Sequence, residues 1–146
     1  MKESFVNIYL LIILSFLFIF TPAQGKAREP ERGVAVEPMK ITMNNRRVFY
    51  FTVYNDTDNE YVITARIIRG DGSGDTPFVL NPPVRPLNKR DDVKVGLIYL
   101  PREKKNDRET VYYLSVSFIP LQQKTPEDKG ISVPLVLVQQ IPVIID

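Results

Sequence analysis

The sequence predicts an all-β fold: an immunoglobulin-like β-sandwich of about seven strands in a single domain. Three observations carry this. Short runs of alternating apolar and polar residues recur along the chain, separated by clusters of Asn, Asp, Gly and Pro. No window shows a sustained helical period with capping residues at its ends. The length of 146 residues suits one domain of ordinary size.

The amino terminus stands apart from that pattern. Lys2 supplies a positive start, Ile8 to Phe20 is an apolar run broken only by Ser15, and Ala23-Gln24-Gly25 has the small-x-small form of a cleavage site. Residues 1–25 therefore read as a signal peptide that exports the chain. The apolar run falls short of the ~20 residues a spanning helix needs, so no membrane anchor is expected after cleavage. A lipid anchor at the cut would need a Cys, and the chain has none. Residues 26–33 are polar and aperiodic and read as a flexible arm, leaving 34–146 as the folded domain.

Within that domain Val34, Val36, Ile41 and Met43 open a first strand, bent near Pro38. Arg47 to Tyr54 forms a second, with Phe49, Phe51 and Val53 on one face, and Asn55-Asp56-Thr57-Asp58-Asn59 turns the chain. Tyr61 to Ile68 is the third strand. After the Gly70–Asp75 loop, Pro77 to Leu80 runs into a break at Pro82-Pro83. Val93 to Leu100, Val111 to Phe118 and the long apolar stretch Ile131 to Ile145 complete the set.

Composition narrows the function. With no His and no Cys the chain cannot build a Ser-His-Asp triad, a thiol nucleophile, a zinc site or a His-ligated haem. No catalytic residues, no metal site and no cofactor are predicted. A net charge of +2 marks neither a nucleic-acid binder nor an acidic tail, so no nucleic-acid partner is expected.

Individual motifs add little. Arg69-Gly70-Asp71 is a common tripeptide in a Gly-rich turn. Asp71, Ser73 and Asp75 have calcium-loop spacing, but Thr76 stands where the loop needs Gly and Pro82 where it needs a bidentate Glu. Asn55-Asp56-Thr57 is a glycosylation sequon and equally a plain turn. Arg102, Lys104, Lys105 and Arg108 are interleaved with Glu103, Asp107 and Glu109, the composition of a solvated hairpin end.

A larger pattern emerges from the order of the pieces. Asn106-Asp107-Arg108-Glu109, then Val111-Tyr112-Tyr113-Leu114, then Phe118-Ile119-Pro120 resembles the DRE…YF…IP signature of the PapD-like periplasmic chaperones of the chaperone–usher pilus pathway. Phe78-Val79-Leu80-Asn81-Pro82-Pro83 with Leu87 behind is similar to the same family's PP-x-x-x-L turn, and Asn55 and Tyr61 also match in place. The likeness covers about residues 33–145, the family's amino-terminal domain.

The resemblance implies a chaperone that binds pilin or fimbrial subunits by donor-strand complementation, lending its last strand to a subunit that lacks one. It implies a periplasmic location and an outer-membrane usher as a further partner. The lent residues would be Ile131, Val133, Leu135 and Leu137, a row at alternate positions. Pro134 and Pro142 share one parity, so both missing donors fall on one side of the strand, as at a sheet edge. A strand buried between two sheets would also be apolar on both faces, and that purely structural reading stays open. An exposed row of this kind also invites self-association through the edge.

Lys40 falls where the family carries the first of two basic anchors for the subunit's terminal carboxylate. At the second position stands Pro142, and no basic residue lies between Ile131 and Asp146. The family's second domain has no counterpart in these residues, so a truncated or one-domain variant is expected. The alternative is a one-domain accessory protein that binds another exported partner through the same edge.

Overall fold

The structure is a computed structural model and describes residue 7 and residues 32–102, 107–121, 130 and 134–146. The chain divides after Pro30, and every element below belongs to the unit Glu31–Asp146. The signal segment and most of the polar arm lie outside the described residues.

Among the described residues nine strands form two sheets. They are β1 (Gly33–Glu37), β2 (Ile41–Thr42), β3 (Val48–Asp56), β4 (Tyr61–Arg69), β5 (Phe78–Asn81), β6 (Val84–Leu87), β7 (Asp91–Tyr99), β8 (Tyr112–Pro120) and β9 (Leu137–Ile144), with a 3₁₀ turn at Asp107–Glu109. One sheet has the order β1-β3-β7-β5 and the other β2-β9-β8-β4-β6. The predicted all-β sandwich is the observed fold.

The strand count differs from about seven for a physical reason. The first predicted strand is two: β1 pairs with β3 in one sheet, and past Pro38 β2 pairs with β9 in the other. Likewise β5 pairs with β7, and past Pro82-Pro83 β6 pairs with β4 in the opposite sheet. A proline cannot donate to a ladder, and each crossing falls at one. The Glu37–Pro38 and Asn81–Pro82 peptides are both cis.

Alternation builds the core. On β3, Phe51 and Val53 are fully buried while Val48, Tyr50 and Tyr54 face outward. Tyr112, Leu114, Val116 and Phe118 of β8 and Ile141 and Val143 of β9 close the other side. Tyr61 meets Phe118 edge-on, and Phe78 meets Tyr112 the same way at 5.3 Å between ring centres. Beyond β2, Asn44 and Asn45 both take positive φ, and the Arg46 N–H donates to the Met43 carbonyl at 2.8 Å. That is the two-residue turn for which Asn is well suited.

Candidate functional site

The last strand, on which the expected subunit-binding residues lie, is paired differently along its two sides. β9 runs antiparallel to β8 from Leu137, opposite Phe118, to Val143, opposite Tyr112. On its other side β2 covers only the end, with Ile41 opposite Val143 and Thr42 opposite Ile144. The Met43 N–H donates to the Ile144 carbonyl at 3.0 Å, so even-numbered residues of β9 turn their main-chain groups toward β2 and odd-numbered ones toward β8. Pro142 sits at an even position, where its missing donor costs the β8 ladder nothing. Among the described residues, no strand pairs with the even side over 137–140.

This half of β9 is an open edge, and it is apolar. Leu135 is 73% exposed and Val138 56%, with Val136 and Leu137 nearly half exposed, whereas Ile141 and Val143, on the same face as Leu137, are buried. The strand therefore changes role along its length, core after Gln140 and surface before it. Regular pairing begins at Leu137, later than the apolar stretch beginning at Ile131 suggests; residues 134–136 are described and lie outside the sheet. Ile131 and Val133 lie outside the described residues. Lys40 is exposed at the crossing that leads into β2, beside the point where the open edge ends.

Sequence reasoning misses Gln139. Its side-chain carbonyl accepts the Val36 N–H of β1 at 3.0 Å, and its amide donates to the Met39 sulfur at 3.1 Å. One polar side chain thus spans the two sheets at the open edge. Its only signal in the sequence is a Gln on the inward parity of an apolar strand.

The signature segment is a structural joint. Asp107, buried at 4% exposure, accepts from Arg102 Nη2 at 2.7 Å and from the Tyr112 hydroxyl at 3.0 Å, and Arg102 Nη1 donates to Asp75 at 2.7 Å. Burial alone would raise the Asp107 carboxyl, but the Arg102 guanidinium and the Tyr112 hydroxyl outweigh it and hold it below its ordinary range. The same burial, followed by the bond to Asp107, pushes the Tyr112 hydroxyl up. Arg102 is therefore not part of a solvated hairpin end: it is clamped between two carboxylates.

Other motifs resolve as turns. Asn55 is buried; its amide donates to the carbonyls of Asn59 and Asn88, each at 2.7 Å, and its carbonyl accepts from Thr57. Asp71 accepts the Ser73 N–H at 2.9 Å, which caps its own loop. Among the described residues no group of His, Cys, Asp or Glu is placed to hold a metal ion. A hollow of about 200 Å³ near the end of β9 is rimmed, among the described residues, by Arg46, Arg47 and Arg108 together with Tyr99 and Asp146.

The profile of the family described as "Pili and flagellar-assembly chaperone, PapD N-terminal domain" matches residues 33–146. The chain belongs to this family. Protein FasC of Escherichia coli is 41% identical over 114 residues, covering 76% of this chain and 72% of FasC. Chaperone protein LpfB of Salmonella typhimurium is 28% identical over 101 residues, covering 68% of this chain and 44% of LpfB. Among solved structures, the Escherichia coli chaperone DraB superposes with a TM-score of 0.63 at 22% identity, over 76% of this chain and 53% of DraB. The Salmonella enterica SafA pilin in complex with the SafB chaperone gives 0.62 at 14% identity, over 82% of this chain and 57% of the matched one. Both structures show the fold. The chain thus spans most of FasC and about half the length of LpfB, of DraB and of the matched chain of the SafA–SafB complex. Within this PapD-type domain the open half of β9, Lys40 and Gln139 lie at one corner, and Asp107 with Arg102 braces the loop that precedes β8.

Proposed function

We propose that this chain is a pilus-subunit chaperone domain that holds pilin or fimbrial subunits by lending them the edge of β9. One observation carries the reading: no described strand pairs with one side of residues 137–140, and the four successive side chains Leu135 to Val138 are exposed and apolar. Strand addition needs both, since main-chain bonds give affinity and alternate side chains fill pockets. The family's description as a pili-assembly chaperone and the pairing of SafB with a pilin in its solved complex support a pilin-type client.

In this reading Ile131, Val133, Leu135 and Leu137 enter the subunit, and Lys40 contacts its terminal carboxylate as a point charge. The chain acts in the periplasm after export, without catalysis, and hands its client to an outer-membrane usher. The uncovered edge also gives the free domain a route to self-association.

Co-expression in the periplasm with a candidate pilin, followed by purification on a tag carried by this chain, tests the proposal. A stoichiometric complex that Leu135→Thr with Leu137→Thr abolishes supports it. Recovery of the pilin by that double variant at wild-type yield overturns it.

A further inference from the structure

We propose that Gln139 is a positioning residue that keeps the β9 edge open by holding β1 on the opposite sheet. The inference rests on the donor-edge reading for its consequence and on geometry for its cause.

Val36 is fully buried, so its N–H has no access to water and needs an acceptor within the protein. β1 already pairs with β3 along its other side, with Val36 opposite Val53. On the side away from β3 the neighbouring strand is β9, which supplies the acceptor. A few residues later β2 pairs parallel with β9, with Ile41 opposite Val143. Carried back along the chain, the same register would lay β1 along the open edge with Val36 opposite Val138, its odd-numbered residues bonded to β9 and the Val36 N–H turned away, so that ladder and the bond to Gln139 exclude one another. The main-chain groups of Val138 and Gln140 would then be spent within the molecule.

Gln139 provides that acceptor. Its side-chain carbonyl meets the Val36 N–H at 3.0 Å, and its amide is steadied by the Met39 sulfur at 3.1 Å. The identity of the donor fixes the amide's orientation, since only the oxygen can accept from an N–H. With β1 satisfied by a side chain, the chain changes sheet after Val36, and the even side of β9 over 137–140 stays available. Gln139 thus stands in for a ladder that would close the site.

Amide hydrogen exchange on the free protein tests this without any client. In the wild type the Val36 amide should exchange slowly, while Val138 and Gln140 exchange at nearly open-chain rates. Gln139→Leu should lower protection at Val36 by tenfold or more, or transfer β1 onto β9 with new protection at Val138 and Gln140. Gln139→Glu, whose carboxylate accepts the same N–H, should keep the wild-type pattern, which a general loss of packing would not restore. If Gln139→Leu does not fold, Gln139→Asn, one methylene too short to span the sheets, takes its place. Unchanged protection at Val36, Val138 and Gln140 in these variants overturns the proposal.

A second arm uses the pilin recovered with the wild-type chain. Its capture should fall about tenfold in Gln139→Leu and persist in Gln139→Glu; equal capture by both overturns the edge-opening role. If the wild type recovers no pilin, the donor-edge reading fails while the exchange data still decide whether Gln139 holds β1.

Discussion

The Tyr112 hydroxyl donates to Asp107 Oδ1 at 3.0 Å, tying a fully buried ring of β8 to the charged loop before it. Arg102 completes the joint from the other side at 2.7 Å. The most specific motif of the sequence therefore braces the domain from within.

Stability in acid should report this joint. Asp107 titrates below its ordinary range in the folded state, so its contribution is present above the unfolded carboxyl value, near 4, and is lost as pH falls through the folded one. Asp107→Asn should cost about 1–3 kcal/mol at pH 7. It should also flatten the fall in stability below pH ~4, and urea unfolding at pH 7 and pH 3 checks both.

Along β9 two substitutions should part company. Leu135→Thr with Leu137→Thr should barely move the melting temperature, since Leu135 is 73% exposed and Leu137 45%. Ile141→Ala, four residues on in a fully buried site, should cost about 2–5 kcal/mol. The leucine pair should nonetheless reduce subunit capture at least tenfold, since each Leu buried in a client is worth ~1.5–3 kcal/mol. A large fall in the leucine variant's melting temperature would assign both side chains to the core.

Lys40→Ala should leave thermal unfolding unchanged, because the side chain is exposed. If Lys40 meets a carboxylate, the loss of a charged hydrogen bond worth ~1.5–3 kcal/mol should weaken pilin binding about tenfold to a hundredfold. The effect should shrink as salt is added. Unchanged affinity at low salt would place the anchor elsewhere.

Asn55→Ala should be among the more damaging polar substitutions. It strands the Asn59 and Asn88 carbonyls and two Thr57 donors around a buried position, at a cost of about 2–4 kcal/mol by denaturant unfolding. Expression in a glycosylating host should leave the folded protein unmodified at this sequon, which mass spectrometry reads, because both donors of the Asn55 amide are already engaged.

Much of the fold was legible because β3, β4, β7 and β8 alternate cleanly and end in Asn, Gly or Pro. Pro38 and Pro82 announced breaks, yet not that the chain changes sheet at each, since strand pairing is non-local. Hydrophobicity could not show that β9 begins at Leu137, because Leu135 and Leu137 read the same whether paired or not. Arg102 looked solvated among the alternating charges of its loop; its partner Asp75 lies 27 residues away. Gln139 was hidden for the same reason, with its acceptor role set by a residue 103 positions distant. The candidate edge was readable as composition, and its opening depends on contacts only the folded chain makes.

The parallel pairing of β2 with β9 has a temporal meaning. It joins segments about a hundred residues apart, as the Asn44 N–H to Asp146 bond also does across 102 positions. Ile141, Val143 and Ile145 supply part of the buried core from the far end of that span. A chain synthesised from its amino terminus cannot close this sandwich until those three residues have emerged. Non-local all-β topologies fold slowly, in roughly milliseconds to seconds, because the loop must close before its contacts reward it. If the open edge is the one lent to a subunit, it shares a strand with the last core side chains, and the domain would become able to receive that partner only as its own folding completes.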